Sequence, residues 1–422
     1  MNTVYEQAIE LLTSREKFHI CLGLDRVSKI LELLGNPQER LQIIHVAGTN
    51  GKGSTCAILE RILYSAGYKT GLYTSPHIVE YTERIKINGI EISKANFHDY
   101  IFEINNLSKL YDIYLTEFEL LTCCAYKYFA DKEVDICVIE TGLGGRLDAT
   151  NVVSKNVLSV ITSLSLDHVD RLGDTVEKIA YEKTGIIKSD CPVLISRENI
   201  GYSVVENCAK EKNSKIVLAL KNIEMIFENE KSFVIYNENK YEFSMLGLWQ
   251  KENLDLVFGV VDYLKSIGYE ISENALKKAL RTVNWPCRMQ YVSKYNLLVD
   301  GTHNPDGARV LRQSLDYYFP DKKRVWIYGS ITTKDYKKVM EILFRKEDEV
   351  YFYDFDYPSA VSFADLSKYK KDACQINLKE IEYLIAENKS ALIVVSGSFY
   401  MIGQMLKKGM NFSKYCHGAR LF

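Results

Sequence analysis

The residues with the clearest capacity for chemistry lie in one stretch, residues 45–54, with the sequence HVAGTNGKGS. Glycines let backbone N–H groups surround an anion, a helix N-terminus adds partial positive charge, and a lysine can reach the outer phosphates of a nucleotide. The stretch departs from the pattern G-x-x-x-x-G-K-[ST], because Gly48 lies only three residues before Gly51 and Gly53 replaces the hydroxyl residue that usually binds Mg²⁺. We predict a phosphate-binding loop whose magnesium ligands come from elsewhere in the chain; a glycine turn with an incidental Lys52 is the alternative.

The segments on either side of this stretch predict the elements that position it. Residues 41–47 form an apolar run typical of a buried strand, and the apolar residues after Ser54 recur at helical spacing as far as Gly67. A strand, a glycine-rich turn and a helix in this order are what a phosphate-binding loop requires.

Further polar residues follow the next predicted strands. Ser75 comes after a strand predicted at 69–73, Glu140 after one at 134–139, and His168 after one at 157–162. Because parallel strands of an open α/β sheet present their carboxyl ends to the ligand, we expect these side chains at one edge of the sheet. Glu140 precedes a glycine-rich loop, as the magnesium carboxylate of a P-loop enzyme does. Ser75 could instead cap a turn, and His168 could be structural, as a lone histidine usually is.

Two other positions have simpler interpretations from the residues alone. Lys183 lies in a helix predicted at 177–188, and its simplest interpretation is a surface lysine. Thr116 and Glu119 have the spacing of a capping box, which predicts the start of a helix.

Composition limits the class of protein. A chain of 422 residues is too long for one ordinary core, and 47% hydrophobic and 26% charged residues are typical of soluble globular proteins. A net charge of −2 gives no general attraction to nucleic acid or membranes, and no apolar run approaches the ~18 residues of a membrane span. Ten cysteines without a C-x-x-C pair indicate free thiols, and residues 1–10 do not resemble a signal peptide. We expect a cytoplasmic monomer without nucleic-acid or membrane partners.

The pattern of elements predicts two α/β domains with a boundary at Trp285–Pro286. Residues 1–285 are predicted to form a P-loop-type, mostly parallel sheet domain, with a small antiparallel β portion at 223–243. Residues 286–422 alternate strands and helices and predict a smaller, Rossmann-like α/β domain. Polar residues follow its strands at 300–305 and 396–398, which suggests a substrate held between the two lobes.

Six motifs, in order along nearly the whole chain, resemble the folylpolyglutamate synthase/dihydrofolate synthase family, the folate branch of the Mur ligase superfamily. They are the segments 45–54, 74–77 with 83–89, 142–151, 164–188, 285–288 and 300–305. The resemblance implies ATP-dependent amide formation, in which a folate or dihydropteroate carboxylate takes the γ-phosphate of ATP and the amine of L-glutamate then displaces phosphate. It also implies that residues 1–285 bind ATP and the pterin, and that residues 286–422 close over ATP and glutamate.

The resemblance also implies roles for individual residues. Catalytic roles fall on Lys52, His168 and Lys183, and magnesium ligation falls on Ser75, Glu140, His168 and a carbamoylated Lys183 that helps to hold a second ion. ATP contacts fall on Gly48, Thr49, Asn50, Gly51, Lys52, Gly53, Ser54, Asn253, Arg288, Asp300 and His303. Pterin contacts fall on Thr116, Glu117, Phe118, Glu119, Leu147, Asp148 and Ala149.

Some positions depart from the family pattern, and other functions stay open. The chain has Trp249 where the family usually has histidine, Cys287 where it has glycine, and Asp306 where histidine is common. The alternatives are a P-loop ATPase or kinase that forms no amide, a Mur-type ligase for a non-folate carboxylate, and a non-catalytic nucleotide-binding relative. Cell-wall ligases of the Mur type carry a further domain before the loop, and we expect the 47 residues before Gly48 to be too few for one.

Overall fold

The computed structural model describes residues 3–15, 23–166, 169–221, 223–228, 231–388 and 390–410. The chain divides into two compact units. The first contains Met1–Glu224, Val234–Glu242 and Lys251–Val283, and the second contains Met225–Phe233, Phe243–Gln250 and Asn284–Phe422.

The elements alternate between helix and strand along most of the described chain. The helices are α1 (Val4–Thr13), α2 (Asp25–Leu33), α3 (Lys52–Ser65), α4 (Lys94–Leu110), α5 (Glu117–Asp131), α6 (Val169–Leu172), α7 (Val176–Thr184), α8 (Tyr202–Glu211), α9 (Gln250–Ser266), α10 (Glu273–Thr282), α11 (Pro305–Tyr318), α12 (Tyr336–Leu343), α13 (Phe363–Leu366), α14 (Leu378–Glu387) and α15 (Phe399–Lys407). The strands are β1 (Ile43–Ala47), β2 (Thr70–Tyr73), β3 (Ile85–Ile87), β4 (Ile90–Glu91), β5 (Ile136–Glu140), β6 (Leu158–Ile161), β7 (Val193–Ile195), β8 (Ile216–Leu218), β9 (Glu224–Glu228), β10 (Lys231–Tyr236), β11 (Asn239–Phe243), β12 (Gln290–Val292), β13 (Leu297–Asp300), β14 (Arg324–Tyr328), β15 (Glu349–Phe352), β16 (Cys374–Gln375) and β17 (Leu392–Ser396).

The first unit is built on an eight-stranded sheet with the order β4-β3-β2-β5-β1-β6-β7-β8. The six strands from β2 to β8 in this order run parallel, and β3 and β4 continue the sheet in antiparallel fashion. All five residues of central strand β1 are buried, which is why its sequence is a continuous apolar run broken only by His45. Parallel pairing brings the segments after β1, β2, β5 and β6 to one edge of the sheet.

Helices cover this sheet with apolar side chains. One core cluster joins residues of α1, α2, α4 and α5 to residues of β1, β2 and β5, and a second joins α7 and α8 to β6 and β7. The α/β architecture predicted from the sequence is confirmed. A further three-stranded sheet has the order β11-β10-β9, within the predicted β segment.

The second unit contains a six-stranded sheet with the order β12-β13-β17-β14-β15-β16. All neighbouring strands are parallel except the edge pair β12–β13. Its core contains Trp326, Tyr328 and Phe352, and Phe227 and Trp249, which come much earlier in the sequence, pack against the same core.

Some short elements have no clear pattern in the sequence. Residues 81–84 form a 3₁₀ helix in which Glu80 and Glu83 make a capping box. The sequence also gave no strong signal for the short elements α13 and β16 or for α15. Among the described helices, none has both the length and the apolar character needed to cross a membrane.

Candidate active site

The phosphate-binding loop predicted from the sequence lies between β1 and α3 and requires its glycines. Gly48 and Gly51 have φ angles of +155° and +84°, which L side chains rarely adopt. A Cβ atom on Gly48 would lie 1.8 Å from Oγ1 of Thr162, and one on Gly51 would lie 2.3 Å from Oδ1 of Asn253. The loop is therefore packed against Thr162, next to β6, and against Asn253 of α9.

Hydrogen bonds hold this loop in a curled conformation. The backbone N–H of Thr49 donates to the carbonyl of Ser163 at 2.7 Å, and Oγ1 of Thr162 donates to the carbonyl of Asn50 at 2.8 Å. Lys52 reaches back over the loop, with Nζ 3.1 Å from the carbonyl oxygen of Gly48.

The N-terminus of α3 faces this loop. The helix begins at Lys52, with Gly53 and Ser54 in its first turn, and its N-cap residue Gly51 makes no side-chain capping bond. A fourteen-residue helix that begins in this way directs N–H groups and the positive end of its dipole toward the loop. This arrangement suits a phosphate group.

Lys183 also reaches the phosphate-binding loop, and the interpretation of it as a surface lysine is wrong. The residue is only 4% exposed, and its Nζ donates to the carbonyl oxygen of Gly48 at 2.7 Å. The amines of Lys52 and Lys183 therefore share one backbone acceptor. Helical spacing alone does not reveal which face of a helix meets a loop from elsewhere in the chain.

Close packing of a glycine-rich loop against α7 explains this burial. A Cβ atom on Gly185 would lie 2.1 Å from Cα of Arg146, and one on Gly145 would lie 2.7 Å from the carbonyl oxygen of Lys183. The backbone N–H of Arg146 donates to the carbonyl of Glu182 at 2.7 Å. Glycine at both positions allows two backbones to touch, which positions Lys183.

Two of the proposed metal ligands lie together. Glu140, at the end of β5, is 4% exposed, and its Oε2 accepts a hydrogen bond from the backbone N–H of Ser75 at 3.1 Å. His168 lies outside the described residues. The part of the chain that the structure describes contains no group of three or more His, Cys, Asp or Glu side chains arranged for a metal.

The first proposed pterin segment opens α5. Oγ1 of Thr116 accepts from the N–H of Glu119, and the N–H of Thr116 donates to Oε2 of Glu119 at 2.8 Å, so the predicted capping box is confirmed. Glu119 also pairs with Arg26 at 2.6 Å. These two side chains therefore already have structural roles.

The middle of this segment lies against the glycine-rich loop. The hydroxyl of Tyr81 donates to Oε1 of Glu117 at 2.8 Å. The ring of Phe118 lies so close to Gly142 that a Cβ atom there would be 2.5 Å from Cζ of the ring. Phe118 also packs against the core cluster that contains Ala149, so the two proposed pterin segments share one region of the first unit.

The second proposed pterin segment contains a buried carboxylate. Asp148 is 5% exposed; its Oδ2 accepts from the N–H of Leu143 at 2.8 Å, and its Oδ1 accepts from the hydroxyl of Thr150 at 2.5 Å. Burial raises the pKa of Asp148, and these hydrogen bonds partly oppose that effect. Its neighbour Leu147 is half-buried, whereas Ala149 is buried.

The second unit brings its three proposed ATP residues to one place. Asp300, at the end of β13, is fully buried and accepts hydrogen bonds from the N–H groups of Met289 and Thr302, each at 2.8 Å. The guanidinium of Arg288 lies 4.8 Å from the ring centre of Phe399, and the ring of His303 lies 6.0 Å from it. Burial raises the pKa of Asp300, and the charge of Arg288 opposes the rise.

Phe399 had no role in the sequence interpretation. It begins α15, directly after the polar segment 396–398, and a Cβ atom on Gly301 would lie 2.2 Å from its ring. The sequence signal that could have identified Phe399 is its position directly after the polar end of a predicted strand.

The departures from the family pattern have local consequences. Cys287 has a φ angle of +59°, in the left-handed region, where glycine is favoured over residues with a side chain. Trp249 packs against the core of the second unit, and its ring lies close to Gly247.

Comparison with family models gives two matches. Residues 46–261 match the Mur ligase middle domain, and residues 284–408 match the C-terminal domain of dihydrofolate synthetase.

Comparison with curated proteins and solved structures gives full-length relatives. The chain is 33% identical to the dihydrofolate synthase/folylpolyglutamate synthase of Bacillus subtilis, with 97% of this chain and 100% of the relative covered. It is 32% identical to the dihydrofolate synthetase of Saccharomyces cerevisiae, with 92% and 97% covered. The structure of E. coli FolC in complex with DHPP and ADP matches with a TM-score of 0.84 at 28% identity, with 97% and 99% covered. The Yersinia pestis folylpolyglutamate synthase/dihydrofolate synthase complexed with AMPPNP and Mn ion matches with the same values.

Proposed function

This chain belongs to the dihydrofolate synthase/folylpolyglutamate synthase family and is an ATP-dependent ligase, and we propose from this premise that it joins a folate or dihydropteroate carboxylate to L-glutamate. A carboxylate resists attack by an amine because it is anionic. Transfer of the γ-phosphoryl group of ATP to one carboxylate oxygen, with ADP as the leaving group, gives an acyl phosphate. The glutamate amine then attacks the carbonyl carbon, loses a proton, and phosphate leaves.

The phosphate-binding loop supplies most of the nucleotide contacts in this proposal. Backbone N–H groups of residues 48–54 surround the phosphates, and Lys52 exchanges its contact with the carbonyl of Gly48 for the outer phosphates. In the first unit Asn253 supports the loop, and in the second unit Arg288, Asp300 and His303 contact the nucleotide. Catalysis then consists mainly of positioning and of neutralising charge that develops on the transferred group.

We assign the divalent metal to the edge of the first sheet. Ser75 and Glu140 suit Mg²⁺ because both offer oxygen ligands and already adjoin one another. His168 completes this set, and Lys183, carbamoylated on its amine, holds a second ion. The metal supplies charge neutralisation at the phosphates.

Two segments form the proposed pterin site, one at the start of α5 and one directly after the glycine-rich loop. Thr116, Glu117, Phe118 and Glu119 come from the first, and Leu147, Asp148 and Ala149 from the second. Thr116 and Glu119 also cap α5, and Asp148 also accepts hydrogen bonds within its own loop. We propose residues 1–285 as the ATP and pterin domain and residues 286–422 as the domain that contributes to ATP and glutamate binding.

The observation that carries this proposal is the convergence of a helix N-terminus and two lysine amines on the loop at Gly48. The test measures ADP release with dihydropteroate or tetrahydrofolate, each with and without glutamate. A ligase releases ADP only when both the pteridine substrate and glutamate are present. ADP release without either substrate would instead indicate an ATPase.

Lys52→Ala tests the loop in the same assay. We expect a loss of at least about 100-fold in turnover, because a fixed positive charge next to the transferred phosphoryl group is removed. The exposed Lys29→Ala serves as a matched control and should retain full turnover. Near-normal turnover of Lys52→Ala with an unchanged circular dichroism spectrum would remove the loop from the mechanism.

A further inference from the structure

A buried chain of hydrogen bonds runs from the strand before the phosphate-binding loop to the proposed pterin carboxylate. Nε2 of His45, in β1, lies 2.8 Å from Oγ1 of Thr150. The same hydroxyl donates to Oδ1 of Asp148 at 2.5 Å. His45 and Thr150 are fully buried and Asp148 is 5% exposed, so water does not replace these contacts easily.

The groups in this hydrogen-bond chain determine which atom donates in each hydrogen bond. Asp148 also accepts from the N–H groups of Leu143 and Thr150, so its carboxylate acts as an acceptor and the Thr150 hydroxyl must donate to it. That hydroxyl can then only accept from His45, which requires the proton on Nε2. The opposite tautomer would leave two oxygens 2.5 Å apart without a proton between them and a buried N–H at Nδ1, which has no hydrogen-bond partner within the described structure.

The ring of His45 is neutral, as this arrangement requires. Burial, together with the smaller effect of the nearby charge of Lys188, lowers the pKa of His45 to about 3. At neutral pH the ring therefore carries a single proton, and Thr150 determines which nitrogen holds it.

The backbone of Thr150 is held from a second side. The hydroxyl of Tyr126, in α5, donates to the carbonyl of Thr150 at 2.6 Å. Helix α5 also carries Phe118. Thr150 is thus the point at which β1, α5 and the Asp148 loop are joined by polar contacts.

We propose that His45 and Thr150 are positioning residues that orient the Asp148 carboxylate toward the pteridine ring of the substrate. The proposal rests on the proposed function, because it assumes that Asp148 contacts the pteridine. A pteridine ring presents N–H donors at its edge, and a carboxylate held by fixed donors meets them without the cost of reorienting. Neither residue touches the substrate.

The test compares Thr150→Val, which keeps the shape and removes the hydroxyl, with Thr150→Ser, which keeps the hydroxyl. We expect Thr150→Val to raise KM for the pteridine substrate about tenfold or more while KM for ATP stays unchanged, and Thr150→Ser to restore the wild-type value. Ser159→Ala, which removes another fully buried hydroxyl in β6, is the control and should change neither constant. Equal rises in both constants, or a silent Thr150→Val, would overturn the proposal.

A second measurement needs no enzyme activity. Nitrogen-15 NMR of the full chain should show His45 protonated on Nε2 and bare on Nδ1 throughout neutral pH, with His45→Gln used to assign the signal. Protonation on Nδ1 would overturn the proposal even if the enzyme is active. A wild-type protein that releases no ADP with pteridine and glutamate would instead contradict the proposed function, and the NMR result would still report on the hydrogen-bond chain.

Discussion

Two lysine amines share one backbone carbonyl at the phosphate-binding loop. The Nζ atoms of Lys52 and Lys183 lie 3.1 and 2.7 Å from the carbonyl oxygen of Gly48. Two ammonium groups this close repel one another, so an arriving phosphate or a carbamate on Lys183 would each relieve that repulsion. The pair is therefore suited to release Lys52 when nucleotide binds.

Substitution of Lys183 tests its proposed modification. We expect Lys183→Ala to lose at least about 100-fold in turnover, because the proposed carbamate, an anion that would hold metal, is removed. Short carboxylic acids should restore part of the activity by occupying the space of a carbamate, as measured by ADP release.

The control for this experiment lies on the same helix. Lys178 is largely exposed and pairs with Asp174, so Lys178→Ala should keep full activity and gain nothing from added acids. Loss of activity in Lys183→Ala without rescue would leave Lys183 as a structural lysine that holds the loop.

The positions of candidate site residues were predictable where those positions depend on neighbouring residues in the sequence. The positions of Lys52 and Glu140 are predicted by an adjoining strand and an adjoining glycine-rich segment, and the structure places both residues at one sheet edge. The surroundings of Lys183 and of the pair His45–Thr150 were not predictable, because segments distant in the sequence determine them. His45 and Thr150 are 105 residues apart. Only the family resemblance pointed to Lys183.

At the scale of elements, the contact between α7 and the glycine-rich loop positions Lys183. Gly185 and Gly145 leave no space for a Cβ atom where the two backbones touch. The contact is possible because both residues are glycines. A side chain at either position should therefore push α7 and the glycine-rich loop apart.

Gly185→Ala tests this contact. Because the new methyl group would meet the backbone of Arg146, we expect a loss of about 1–3 kcal/mol in the free energy of unfolding and a fall in turnover. Urea denaturation followed by circular dichroism measures the first effect. Glu177→Ala, at an exposed position of α7, the helix that Gly185 follows, should change stability little, and equal effects of the two variants would contradict a close backbone contact.

Strands were the most predictable elements because parallel, fully buried strands give continuous apolar runs. The patterns around β1, β5 and β17 show this directly. Short elements were less predictable: the 3₁₀ helix at 81–84 follows from Glu83 accepting three backbone N–H groups, a tertiary detail with no periodic signal.

At the scale of the whole molecule, the second unit is assembled from three separate segments of the chain. Phe227 packs on Tyr318 with ring centres 4.7 Å apart, and the N–H of Leu248 donates to Ser314 at 3.0 Å. The restart of alternating strands and helices after Trp285 predicts a boundary there, but a pattern along the sequence does not reveal that earlier segments join the later core.

Phe227→Ala tests the contribution of an early segment to the second unit. We expect a loss of about 1–3 kcal/mol in the unfolding free energy of that unit, because a half-buried aromatic contact is removed. The three tryptophans, Trp249, Trp285 and Trp326, all belong to the second unit, so their fluorescence during urea denaturation reports its unfolding.

The matched control lies in the first unit. Phe102 is half-buried against the core of that unit, so Phe102→Ala should lower the circular dichroism midpoint and leave the tryptophan transition in place. Equal shifts of the tryptophan transition by both variants would show that the two units unfold as one.

Because the second unit is built from three separate segments, it cannot be moved to another protein as a single stretch of sequence. A gene fusion that grafts residues from Asn284 onward onto another host would carry the six-stranded sheet but leave behind Phe227, Leu246 and Trp249, which cover its core. Such a transplant would begin with apolar surface open to solvent and a tendency to aggregate. A junction before Met225 would keep the second unit whole but would separate Val234–Glu242 and Lys251–Val283 from the rest of the first unit. Recombination between relatives should therefore tolerate neither junction well.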